Sequence, residues 1–164
     1  MVTVPTGMQH HLLAALPHLS FQAHTIVDAL LVGGGKSGSG GEMARQLGLP
    51  SRYALGRLLQ GQGLPGLREL AGWISILGWV IAAERSKVSL FVMATRSRRS
   101  PAVCYRMVKR LTGLTWVQLK NRGSPWALRL FIDRCQAIAL QDKDERGGRT
   151  CFGLRRHGTR WLAH

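Results

Sequence analysis

The chain has 164 residues, with 23 Lys and Arg against 8 Asp and Glu, for a formal net charge of +15. With 45% hydrophobic and 19% charged residues it can bury a core, which excludes a wholly disordered chain. Three cysteines, Cys104, Cys135 and Cys151, stand far apart with no Cys-x-x-Cys or Cys/His cluster; this excludes a zinc site and suits free thiols in a reducing cytoplasm.

The N-terminus has no basic leader ahead of its apolar residues, so no secretory signal is expected. The longest uncharged apolar stretch, Ala71 to Ala83, falls short of the ~20 residues that cross a bilayer. A cytoplasmic protein without a membrane partner is expected. Residues 1–32 read as a small helical segment: a helix over Met8–Leu16 closed by Pro17, then Ser20 capping a helix over Phe21–Val32. This segment suits docking or homodimerisation. Residues 33–41, Gly-Gly-Gly-Lys-Ser-Gly-Ser-Gly-Gly, have flexible-linker composition. Gly33, Gly35 and Gly38 match G-x-G-x-x-G, but the strand before and the helix directly after are missing, so the match reads as chance.

From Glu42 the pattern is helical. Glu42–Leu47 is short and closed by Gly48, and Ser51 caps a helix carrying Leu55, Leu58 and Leu59 on one face. Arg52, Tyr53, Arg57 and Gln60 lie on the other. After Gly61–Pro65 comes the longest expected helix, Leu67–Glu84. It is apolar nearly all round, which predicts burial, with Trp73 and Trp79 as core residues. A second cycle follows: a short helix over Val88–Ala94, a basic turn Thr95–Arg99, and Ser100 capping a helix that starts at Pro101. Cys104, Tyr105, Val108 and Leu111 are expected inside, and Ala102, Val103, Arg106, Lys109 and Arg110 outside. Trp116–Lys120 makes a further turn, Pro125–Leu140 a last amphipathic helix, and 141–164 a basic tail.

The charge is uneven. Between Arg85 and Arg134 stand twelve Lys and Arg against one acid, Asp133, the electrostatic footprint of a nucleic-acid binder. The two cycles are also related: a shift of fifty brings Leu55 onto Tyr105, Leu58 onto Val108, Gly63 onto Gly113 and Leu64 onto Leu114. Each cycle is a short helix, a tight turn and a capped helix, the order of a helix-turn-helix whose second helix enters a major groove.

Met43-Ala44-Arg45-Gln46-Leu47-Gly48-Leu49-Pro50-Ser51, Leu55, Leu58, Gly63-Leu64-Pro65, then Tyr105, Val108, Arg110 and Gly113-Leu114-Thr115 carry a resemblance to the DNA-binding domain of AraC/XylS-type transcription regulators. The resemblance covers about residues 42–134. The second turn departs from the pattern, with Thr95–Arg99 where a glycine–aromatic pair is usual. The N-terminal segment is also too short for an effector-binding domain. The resemblance implies an all-α fold: two helix-turn-helix subdomains joined by a long apolar helix, within a DNA-binding domain over 42–140. It implies that Arg52, Tyr53, Arg57, Gln60, Arg106, Lys109 and Arg110 face bases. Ser51, Arg96, Arg98, Arg99 and Ser100 would meet phosphates. Double-stranded DNA and RNA polymerase are the implied partners; no cofactor or metal is implied.

Two other classes compete. An RNA-binding or ribosome-associated basic helical protein would use the same cations, with exposed aromatics such as Tyr53 and Trp161 for stacking. A nucleic-acid-processing enzyme would need paired carboxylates or a histidine beside a nucleophile. None of His10, His11, His18, His24, His157 and His164 has such a neighbour, and the one acidic cluster, Asp142, Asp144 and Glu145, lies in the expected tail, so no enzyme is expected.

Overall fold

The structure, a computed structural model, describes residues 10, 12–16 and 18–150, with side chains described as far as residue 144. The described residues form an all-α fold: α1 (Phe21–Val32), α2 (Gly40–Gln46), α3 (Arg52–Gly61), α4 (Leu67–Ser86), α5 (Leu90–Arg96), α6 (Pro101–Thr112) and α7 (Trp116–Thr150). Residues 10 and 12–14 are also helical, and 15–16 are not; Met8, Gln9 and His11 of the expected Met8–Leu16 helix lie outside the described residues. So does 151–164, with Trp161.

Most helix starts follow from side-chain caps. Ser20, Ser39, Ser51 and Ser89 each accept from the backbone N–H three residues on, satisfying one of the donors that a helix start leaves without an intrahelical partner. Ser100 holds the equivalent position before α6, but its side chain makes no capping hydrogen bond; Pro101 at the first helical position needs one donor fewer.

Helices α1, α2, α3 and α5 end alike. In each, the residue after the C-cap takes a positive φ (Gly34, Gly48, Gly63 and Arg98), and two reversed N–H···O=C bonds close the end, the Schellman arrangement.

Helix α4 is the spine. Leu70 through Ile81 are all buried, Trp73 and Trp79 among them, as the all-round apolar sequence predicts. Antiparallel to it runs α7, broken at Gly123 (φ 82, ψ 174) just before Pro125. The pairing is fixed along its length. The Glu84 carboxylate accepts from Ser124 N–H at 2.6 Å and from Ser124 Oγ at 2.7 Å. The rings of Trp73 and Phe131 lie 5.7 Å apart. Arg134 Nε donates to Glu69 at 3.0 Å, and Gly63 fits closely beneath Ala139. Each fully buried Leu, Ile or Phe in such a core contributes about 1.5–3 kcal/mol.

Three sequence expectations change here. The described part of residues 1–32 is not a separate unit: Leu12, Ala23, Ile26, Val27, Leu30 and Leu31 belong to the same core, and α1 packs on α4. Residues 33–41 are not a free tether. Gly33–Gly35 form the end of α1, Gly35 is pressed onto α4 beside Ala71 and Ser75, and Ser39 already caps α2. The last helix continues past Leu140 to Thr150, into the segment whose composition suggests a tail.

Candidate nucleic-acid interface

The helix pairs α2–α3 and α5–α6 share one backbone plan. Leu49 N–H donates to Ala44 O at 2.8 Å, and Arg99 N–H to Ala94 O at 2.9 Å; Gly48 N–H donates to Arg45 O at 3.1 Å, and Arg98 N–H to Thr95 O at 3.0 Å. Up to this point the repeat interval is fifty, as expected. It then drops to 49, because the first turn carries an extra residue, Pro50, before its cap: Ser51 corresponds to Ser100, and buried Leu55 and Leu59 correspond to buried Cys104 and Val108. The interval returns to fifty at Gly63 and Gly113 because α6 is longer than α3.

This register corrects the expected core. Tyr105 is not inside; it is 41% exposed. Cys104 fills the place of Leu55. Burial pushes its thiol pKa up, against a partial offset from the nearby Arg99 charge.

The outward faces now align. Tyr53, Arg57 and Gln60 on α3 correspond to Ala102, Arg106 and Lys109 on α6, and all six are exposed. Neither helix contains an acidic residue. Arg52 flanks the first set: its Nη2 donates to Tyr53 Oη at 2.9 Å, and its guanidinium lies 4.9 Å from the ring centroid. Lys109 Nζ donates to Gly113 O at 3.0 Å, which draws it along α6 toward the helix end. Arg110 is exposed beside it. Ala102 and Val103 lie on the outer face, as expected, and Tyr105 joins them there. The spacing from Ser100 to Cys104, equal to that from Ser51 to Leu55, carries the signal that would have placed Tyr105 outside.

The residues expected at phosphates divide. Arg96, Arg98 and Ser100 are exposed, and Arg98 occupies the left-handed position (φ 54) that Gly48 fills in the first unit. Ser51 Oγ accepts from Ala54 N–H at 3.2 Å, leaving its proton to donate outward. Arg99 is not a loose arm on the turn. It stands where the first unit has Leu49, and its guanidinium reaches across to α4 and the end of α1. There it donates to Ser75 Oγ at 2.9 Å and to Gly35 O at 3.0 Å, lying 5.8 Å from the Trp79 ring centroid.

Among the described residues no group of three His, Cys, Asp or Glu is placed to hold a metal ion, and no helix is long and apolar enough to cross a membrane. Compared with protein families, with characterised proteins and with solved structures, the chain matches none.

Proposed function

We propose that this chain is a sequence-specific double-stranded DNA-binding transcription regulator of the AraC/XylS kind, which sets α3 and α6 into successive major-groove segments. One observation carries the reading. Two helix-turn-helix units of the same hydrogen-bonded plan present outward faces in register, polar or basic at Arg57/Arg106 and Gln60/Lys109, with no acid on either helix. The 20-residue α4 between them is about 30 Å long, close to the ~34 Å of one DNA turn. Arg57 and Arg106 suit bidentate pairing with guanine, and Gln60 suits adenine. Arg96, Arg98 and the Ser51 hydroxyl suit phosphates, which position the protein without reading sequence. Such a regulator works in the cytoplasm beside RNA polymerase.

The test is selection of bound sequences from random duplex DNA, with RNA as competitor, across a salt series. Arg57→Ala and Arg106→Ala should each relax preference at one base pair, at a cost of roughly 1–3 kcal/mol. Arg98→Ala should weaken all sequences alike and lower the salt slope by about 1. If RNA competes as well as the selected duplex, or if all three losses are equal and blind to sequence, the proposal fails.

A further inference from the structure

Between the end of α1 and the turn of the second unit lies a polar cavity of about 170 Å³, whose lining includes Gly33, Gly34, Lys36, Trp79, Arg96, Ser97 and Arg99. Three of these residues are cations, and none is an acid. Among the described residues, neither Lys36 nor Arg96 forms a salt bridge. The repulsion of three positive charges around one concavity is relieved by an anion seated among them.

The cavity is also preorganised. Arg99 is held by Ser75 Oγ, by Gly35 O and over Trp79. These bonds use two of its five N–H donors, leaving others for a ligand. The glycine amides play no such part. The N–H groups of Gly33, Gly34, Gly35 and Lys36 all donate to carbonyls within the turn, so this is not a loop that cradles phosphate with its backbone. The side chains supply the recognition: the half-buried, hydrogen-bonded Arg99 guanidinium and the two exposed cations Lys36 and Arg96. That donor set suits a multiply charged oxyanion such as phosphate, which can engage all three cations, better than an apolar ligand.

We infer that this cavity is a phosphate-binding site formed between the end of α1 and the turn of the second helix-turn-helix unit. The group it takes is either a DNA backbone phosphate, an arm that rests on the function proposed above, or the phosphate of a free small anion, which does not.

The experiment titrates the full chain with inorganic phosphate against sodium chloride at matched ionic strength, read by two-dimensional amide and indole NMR. Saturable shifts specific to phosphate are expected at Gly33, Gly34, Ser97 and the Trp79 indole, and should be lost in Lys36→Ala/Arg96→Ala. Both altered side chains are exposed, so the rest of that variant's spectrum should be unchanged. Duplex binding across a salt series then separates the sources. A slope lowered by about 1 in Lys36→Ala alone, which keeps the Arg96 contact proposed above, assigns a backbone phosphate, and an unchanged slope assigns a free one. Because the phosphate titration needs no DNA, it stands even if the chain fails to bind duplex. Absence of saturable, phosphate-specific shifts overturns the site, whatever the duplex does.

Discussion

Replacing Gly35 by Ala tests whether the glycine stretch is packed or free, and Gly48→Ala supplies the control. Both positions have positive φ, +74 at Gly35 and +67 at Gly48, so both variants carry the left-handed penalty of roughly 1–2 kcal/mol, partly offset by about 0.4–1 kcal/mol of lost freedom in the unfolded chain. Around Gly48 an added Cβ meets nothing within 4 Å, so Gly48→Ala should cost only about 1 kcal/mol. At Gly35 the added atom would collide with Ser75 Oγ and stand 2.5 Å from Ala71 O and 2.8 Å from Ser75 N. Two of these are backbone atoms of the buried α4, which cannot yield without disturbing the core. Overpacking of that kind adds about 1–3 kcal/mol. Displacing the Gly35 carbonyl from Arg99 adds roughly 1 kcal/mol more. The sum for Gly35→Ala is about 3–5 kcal/mol, a large part of the roughly 5–15 kcal/mol that holds a domain together. Urea denaturation followed by far-UV circular dichroism measures both variants on one scale. If the two midpoints fall by similar amounts, the glycine stretch is not seated on α4 and the reasoning is refuted.

Arg98→Gly should raise stability by roughly 0.5–1 kcal/mol, seen as a higher urea midpoint, because it gives the second turn the residue that the first already has; a lower midpoint would mean that the Arg98 side chain itself holds the turn. Cys135 makes stability depend on pH. Burial, aided by the Glu69 carboxylate and partly opposed by Arg134, pushes its thiol pKa from an ordinary 9.0 up to about 12. Between these values the unfolded chain loses a proton that the folded chain keeps. Stability is therefore fully present below pH 9 and falls as the pH rises toward 12, by at most about 1.4 kcal/mol per unit. Urea midpoints at pH 8, 9 and 10 should decline more steeply for the wild type than for Cys135→Ala, and parallel declines would show that the thiol is not the cause.

Much of this architecture was legible locally. Ser20 and Ser51 announce their helices, and the apolar run from Leu70 to Ile81 announces its own burial. What sequence could not supply was settled by contacts far along the chain. Gly33–Gly41 has the composition of a tether, yet the same glycines allow a helix to end against another helix; Ala71 and Ser75 decide the matter from about forty residues away. Arg99 reads as one more cation in a basic turn, and only the fold brings Ser75, Gly35 and Trp79 to it. Tyr105 was placed inside by extending one repeat interval through a turn that is a residue shorter than its counterpart. Of the candidate interface, Arg57, Gln60, Arg106 and Arg110 stand exposed where periodicity put them. Lys36, at the polar cavity, did carry a local signal: Gly35-Lys36-Ser37 resembles the end of a phosphate-binding loop, although Leu30 stands where that motif needs a glycine.

The antiparallel pairing of α4 with α7 has a consequence for how the molecule comes apart. Along its length α7 touches α3 and α6 as well as α4, so neither helix-turn-helix has a core of its own to retreat to. Melting should be a single concerted event, with no half-folded species that keeps one helix-turn-helix while the other frays. A ligand that grips only one end would then protect the whole chain, by RT ln(1 + [L]/Kd), and the protection would be felt equally at the far end.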